Sequence, residues 1–206
     1  MSGLFPFLPM FIDVAGRATV LLSGVDAMVA LARRLLDAGA AVKVVDASPS
    51  AAMEALAPPL RLVRRSWRPL DFEDAVLVIA AMREQRAPQA RAAARHAGAI
   101  FAMPGAAAPA DLTFGAGAAW GAVSVGVHGA GLPGGVGEAI AARIEALAPP
   151  DYAGFLAAVE RARAGVETAL PAPARRDAFW RAAARDAFAE SPADWDVWIR
   201  ERLARA

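Results

Sequence analysis

The 206-residue chain has no cysteine. That absence excludes disulfides, thiolate metal centres and cysteine nucleophiles together. It also lacks any apolar run near the ~18 residues that a membrane-spanning helix requires. The sequence therefore predicts no membrane partner, although 57% of its residues are hydrophobic and its mean hydropathy is +0.35. Alanine supplies much of that figure. The stretch Met1 to Pro9 has no basic segment of the kind that opens a signal peptide, so the expectation is a cytoplasmic protein. Charge of one sign is missing too: 22 Lys and Arg face 21 Asp and Glu, for a net charge of +1. Dispersed bases among nearly equal acids predict no nucleic-acid partner. Lys43 is the one lysine, a skew towards arginine that carries no functional conclusion. The local cluster Arg61, Arg64, Arg65 and Arg68 reads as a solvated face, with contact to an anionic ligand as the alternative.

What the chain does have is a strand, a glycine turn and a helix near its start. Ala18 to Leu22 is a short apolar run suited to a buried parallel strand, and Ala27 to Ala38 repeats apolar residues at helical spacing up to Gly39. Ala40 to Val45 reads as a second strand, closed by Asp46. This is a βαβ unit with an acidic residue about 20 positions beyond the turn, where such folds hold a ribose hydroxyl pair. The glycine code G-x-G-x-x-G is altered, however: its three positions are Ser23, Val25 and Met28, and Gly24 lies between the first two. Val25 carries a side chain where backbone approaches a pyrophosphate, and Met28 is bulky where helix and strand pack closely. A βαβ unit that binds no dinucleotide remains the alternative. The candidate cofactor residues are Ser23, Gly24, Val25, Asp26 and Ala27 in the turn, and Asp46, Ala47 and Ser48 after the second strand.

The alternation continues. Ala51 to Leu56 predicts a short helix, Leu60 to Val63 a short strand, Ala75 to Ala81 the strongest buried strand, Gln85 to Ala97 a helix closed by Gly98, and Ala99 to Met103 a strand. These predict a parallel sheet with helices on both faces. Leu112-Thr113-Phe114 and Ala122 to Val127 read as strands that leave this sheet, separated by a stretch of small residues. A helix is expected from about Val136 to Leu147 after the glycine-rich turn at His128 to Gly135. Helix follows from Asp151 onward, broken at Pro171-Ala172-Pro173 and resumed over Arg175 to Ala189 and Asp194 to Arg205. Trp180, Trp195 and Trp198 read as packing anchors.

The order of these segments resembles the precorrin-2 dehydrogenase and sirohydrochlorin ferrochelatase family, the amino-terminal module of siroheme synthase, of which this chain looks like a divergent member. Leu8-Pro9-Met10-Phe11 with Gly16-Arg17 resembles the family's opening. Ala32 to Val45 resembles its first crossover helix and second strand, Val78-Ile79-Ala80-Ala81 the strand that ends Ala-Ala-Thr, Gly129-Ala130-Gly131-Leu132-Pro133 its glycine-rich turn, and Arg176 to Trp180 its Arg-x-x-Phe-Trp segment. The resemblance implies an α/β fold: a Rossmann-like NAD-binding domain over 1–112, a small β-rich dimerisation region over 113–150, and a helical C-terminal domain over 151–206. It implies a swapped homodimer that passes a hydride from precorrin-2 to NAD and yields sirohydrochlorin, with ferrochelatase activity in some members. No resident metal is implied. The second reading is a catalytically degenerate tetrapyrrole-binding or regulatory homologue.

The resemblance also places the family's functional residues. Its Asn-x-x-Asp segment, whose aspartate acts as base toward the macrocycle, falls on Ala102-Met103-Pro104-Gly105, so the base position is Gly105. The threonine of Ala-Ala-Thr falls on Met82, the asparagine opening the next helix on Pro88, and the serine of the glycine-rich turn on His128 or Gly129. Two residues are candidate replacements for the lost base. Asp111 could serve if burial raised its pKa, against the plainer role of capping a turn. His128 could exchange protons near neutral pH or offer a nitrogen to iron. His96, before Gly98, reads as a partner of a helix C-terminus.

Overall fold

The computed structural model describes residues 10–104, 110–128, 134–149, 151–190 and 192–206. The chain divides into two units, Met1–Phe114 and Gly115–Ala206. In the first, β1 (Ala18–Leu22), β2 (Ala41–Val45), β3 (Arg61–Val63), β4 (Ala75–Ala80) and β5 (Ile100–Ala102) form one sheet in the order β3-β2-β1-β4-β5. Every pairing in it is parallel. The continuous apolar runs of β1 and β4 suit this, because a central parallel strand is covered on both faces. Alternate residues divide between two cores. Leu21, Leu77 and Ile79 join Val29, Ala32 and Leu35 of α1 (Val29–Asp37) and Met53 of α2 (Ala51–Glu54) on one face. Val20, Leu22, Val78 and Ala80 meet Ala87, Ala90 and Ala94 of α3 (Ala87–His96) on the other.

Both long helices of this unit end in the same way, and the sequence signals it. After α1, Gly39 (φ +78°) donates its N–H to the Leu36 carbonyl and Ala40 donates to Leu35; after α3, Gly98 donates to Arg95 and Ala99 to Ala94. This paired closure needs a left-handed residue, which glycine adopts without strain. His96 lies in the last turn of α3, where the helix dipole favours a base.

Three expectations are corrected. Leu112-Thr113-Phe114 does not leave the first sheet as a strand: Leu112 makes a single parallel bridge to Ala102, and Leu112 and Phe114 pack on the α1 face. The Phe101 carbonyl, which accepts from the N–H groups of Asp111 and Leu112, holds the segment there. The small-residue stretch that follows is itself a strand, β6 (Ala116–Trp120), paired antiparallel with β7 (Val123–Val127). Pro173, expected within a breaker, opens a helix at its first turn, where its missing N–H costs nothing.

In the second unit the β6–β7 hairpin is followed by α4 (Gly134–Glu145), α5 (Tyr152–Ala169), α6 (Pro173–Asp186) and α7 (Trp195–Leu203). The core joins Tyr152, Phe155, Phe179, Trp195, Trp198 and Ile199. Trp195 meets Phe155 edge-on at 5.2 Å and Trp198 at 5.3 Å, and Trp180 packs at the margin. The polar ends of the buried indoles are satisfied: Trp195 Nε1 donates to Asp151 Oδ2 at 2.7 Å and Trp198 Nε1 to Glu190 Oε2 at 2.6 Å. These tryptophans anchor the helical packing, as the sequence predicts. Among the described residues no helix is long and apolar enough to cross a membrane.

Candidate nucleotide-binding site

In the sheet order, β2 and β3 lie to one side of β1 and β4 and β5 to the other. The connections reverse direction there. The carboxyl ends of β1 and β4 thus flank the crevice where open α/β sheets bind ligands. β1 delivers Ser23 and Gly24, both buried, into this region; Val25, Asp26 and Ala27 follow, all exposed. A short 3-10 turn over Asp26–Met28 leads into α1, and Met28 is driven into the α1 core at 2% exposure. β2 delivers Asp46, half-buried, followed by exposed Ala47 and Ser48.

The two loops are tied to each other. Asp46 Oδ2 accepts the Gly24 N–H at 2.6 Å, its Oδ1 accepts the Ser48 N–H at 2.9 Å, and the Ser50 N–H donates to the Gly24 carbonyl at 2.8 Å. Ser50 also caps α2 by accepting from the Met53 N–H at 3.3 Å. Gly24 is required by packing: a Cβ there would stand 2.7 Å from the Pro49 Cβ and 3.0 Å from its Cα. Gly24, which lies between the first two positions of the altered code, therefore admits the neighbouring loop.

Tested against a dinucleotide, these residues fit at the ribose and are crowded at the pyrophosphate. Each carboxylate oxygen of Asp46 keeps a lone pair beyond the one it gives to backbone, enough to accept from ribose hydroxyls. Val25 has an extended backbone (φ −74°, ψ 157°), offers no side-chain cap, and projects a side chain that is 44% exposed. Asp26 adds a carboxylate to the first turn, where a helix terminus would otherwise attract an anion.

The other candidates lie elsewhere. Asp111 follows β5, and its Oδ1 accepts from Arg91 Nε at 3.0 Å, Arg91 Nη2 at 2.6 Å and Arg95 Nη2 at 2.8 Å. Its side chain is 19% exposed. Burial pushes its pKa up, but the hydrogen bonds and charges of the two guanidiniums outweigh that and hold it below the usual aspartate value. A carboxylate kept ionised in this way is a weak proton acceptor, and its geometry is that of a brace between α3 and the segment after β5. His128 is exposed at the end of β7, in the second unit. Gly105 and the turn Gly129 to Pro133 lie outside the described residues. Met82 packs on the α3 core and Pro88 lies in the first turn of α3.

Sequence reasoning missed how the arginine cluster is resolved. Arg64 pairs with Glu54 at 2.7 Å, and Arg65 makes a bidentate pair with Asp71, both contacts 2.7 Å. Asp71, six residues on and 5% exposed, was the available signal. Among the described residues no group of three or more His, Asp or Glu side chains is placed to hold a metal.

A five-stranded parallel sheet in this order, with an acidic residue closing β2 against the β1 turn, is a Rossmann-like domain of the dinucleotide-binding class. Residues 10–116 match the model of the NAD_binding_7 family, described as "Putative NAD(P)-binding", and the chain belongs to that family. No curated protein matches it. Among solved structures, the chain is similar to "SirC, precorrin-2 dehydrogenase" with a TM-score of 0.70 at 15% identity, over 97% of this chain and 100% of that one. At that identity the likeness is one of fold, and it extends over both units.

Proposed function

We propose that the protein is an NAD-dependent dehydrogenase acting on a precorrin-2-type tetrapyrrole, which loses a hydride to the nicotinamide and a proton to a base to give the sirohydrochlorin-type product. The observation that carries this reading is Asp46, whose carboxylate stands at the carboxyl end of β2 against the β1 turn and would hold the ribose hydroxyls. The same carboxylate favours NAD, because it would repel a 2′-phosphate. The nicotinamide supplies the hydride acceptor when bound; the chain's part is to fix the adenosine end and face the substrate. The family match and the fold likeness to SirC support the assignment. Insertion of ferrous iron into the product, with iron as substrate, belongs to the same reading. So does a homodimer paired through residues 113–150, which is favoured by the exposure of Val123, Val136, Ile140 and Leu147.

The second reading, a tetrapyrrole-binding or regulatory homologue without catalysis, is favoured by Asp111. With Gly105 at the position where the resemblance places the base, Asp111 is the carboxylate six residues further along the chain, and two arginines hold it ionised. Incubation with precorrin-2 and NAD separates the readings. Growth of NADH absorbance together with the sirohydrochlorin spectrum supports the dehydrogenase; a tetrapyrrole bound with no NADH formed supports the second reading.

A further inference from the structure

A recess of about 440 Å³ opens between the 3-10 turn Pro69–Phe72 and the start of α3. Trp67, Arg68, Pro69, Arg86 and Gln89 line it. None of the residues assigned to the crevice at β1 and β2 belongs to this lining. Its charge is unbalanced: neither the Arg68 nor the Arg86 guanidinium has an ion pair or hydrogen bond among the described residues. The carboxylates nearest in sequence do not neutralise them. Asp71 is taken by Arg65, and Glu84, two residues before Arg86, pairs with neither arginine.

The wall that carries Trp67 and Arg68 is built rather than loose. Asp71 accepts both Arg65 nitrogens and, at 2.7 Å, the Arg68 N–H, so one nearly buried carboxylate fixes the backbone on either side of Trp67. Pro69 opens the 3-10 turn and restricts it further. Phe72, fully buried, stacks on the Trp67 ring at 5.4 Å and 21°, which holds the indole in place. Taking a carboxylate out of water to order a surface loop costs desolvation energy that packing alone does not require. What the device produces is a rigid aromatic surface beside two unneutralised guanidiniums.

We propose that this recess binds a nucleoside monophosphate, with the phosphate between Arg68 and Arg86 and the base against Trp67. A guanidinium pair matches the double charge and the oxygens of a phosphate monoester. An indole surface offers a planar base a stacking partner, and the Gln89 amide can both donate to and accept from its edge. The volume lies within the range of small-molecule sites and suits one nucleotide. The lining shares no residue with the Ser23–Ala27 and Asp46–Ser48 loops, and the proposal does not depend on the redox reading.

Titration calorimetry of the full chain at low salt with 5′-AMP, adenosine and inorganic phosphate tests the proposal. The expected result is that 5′-AMP binds about tenfold or more tightly than either fragment, since stacking on an aromatic contributes about 1–3 kcal/mol per base. Arg68→Gln and Arg86→Gln, both at exposed positions, should each weaken 5′-AMP about tenfold, as expected for a hydrogen bond to a charged group. Trp67→Leu should remove the advantage of 5′-AMP over inorganic phosphate. Because the crevice at β1 and β2 would itself take an adenosine ribose through Asp46, the titrations are repeated in the Asp46→Ala variant, where the part of 5′-AMP binding that Arg68→Gln and Arg86→Gln weaken should persist. The proposal is overturned if, in the Asp46→Ala background, the Arg68→Gln/Arg86→Gln double variant binds 5′-AMP as the protein with both arginines does, if inorganic phosphate binds as tightly as 5′-AMP, or if no heat of binding is seen at millimolar 5′-AMP. NADH formation from precorrin-2 is read separately, so failure of one proposal leaves the other standing.

Discussion

Asp46 accepts the Gly24 N–H at 2.6 Å across 22 residues, joining the carboxyl ends of the two strands that would hold a dinucleotide. This one contact serves both the fold and the site, because the same carboxylate that ties the loops is the acceptor available to a ribose. Asp46→Ala should therefore weaken NAD by roughly tenfold and lower stability by about 1 kcal/mol, the usual worth of one such hydrogen bond. Calorimetric titration and urea unfolding read the two effects. Tighter binding of NADP than NAD by the parent protein would count against Asp46 as the ribose partner.

The β1 turn predicts opposite outcomes at adjacent positions. Gly24→Ala places a methyl 2.7 Å from the Pro49 side chain and should destabilise the protein by about 1–3 kcal/mol, as overpacking does. Val25→Gly removes an exposed side chain that crowds the pyrophosphate and should tighten NAD. If Val25→Gly binds NAD no better than the parent, crowding at this residue is not what limits affinity.

A polar defect lies in the middle of the sheet. The Thr19 hydroxyl is buried on β1 without a hydrogen-bond partner among the described residues. Thr19→Val keeps the shape and removes the unsatisfied group, so it should stabilise the protein by about 1 kcal/mol. A lower urea midpoint in the variant would show that the hydroxyl is satisfied in solution.

Acid sensitivity should trace to Asp71 and Asp111. Hydrogen bonding to Arg65 holds the Asp71 carboxyl below its ordinary 3.8 despite burial. For Asp111 burial acts upward, and Arg91 and Arg95 reverse it. A carboxyl whose folded value is depressed contributes stability above its unfolded value and loses it as pH falls through the folded one. Stability should thus decline as pH drops below about 4, and Asp71→Asn should lie well below the parent at neutral pH, with the gap closing in acid. A gap that is independent of pH would mean that Asp71 acts through packing alone.

Catalysis has its own test in Gly105→Asp. General-base assistance is commonly worth roughly 10²- to 10⁴-fold, so the variant should turn over precorrin-2 that much faster if the rest of the pocket is competent. Asp111→Asn should change turnover little, since Arg91 and Arg95 already occupy that carboxylate. A large loss in Asp111→Asn with folding intact would make it the working base. Light scattering at low micromolar concentration should report a dimer, and a folded monomer would remove the pairing role given to residues 113–150.

The order of strands and helices up to β5 was legible in the sequence because its causes are local. Buried parallel strands need continuous apolar runs such as Ala75 to Ala80, and each long helix of the sheet unit stops at a glycine that can adopt a left-handed turn, Gly39 or Gly98. The grouping of Ser23 to Ala27 with Asp46 to Ser48 was legible for a related reason: a parallel βαβ unit brings the ends of consecutive strands together. The strand β6 was not legible. Burial does alternate along Ala116 to Trp120, but the residues are Ala, Gly, Ala, Ala and Trp, so no polar–apolar alternation in the sequence marks a segment that is held by backbone hydrogen bonds to β7.

The sequence by itself determined the Rossmann-like class, the position of the glycine turn and the replacement of all three glycines of its code by Ser23, Val25 and Met28, because composition and spacing encode these directly. Only the tertiary structure decided how the charges are used. Arg64, Arg65 and Arg68 are alike as letters, yet Glu54 takes the first, Asp71 the second, and the third faces a recess without an acid. Asp111 was an open candidate until α3 brought Arg91 and Arg95 against it from 20 and 16 residues away. An ion pair depends on distance in space, and chain separation of that length says nothing of it.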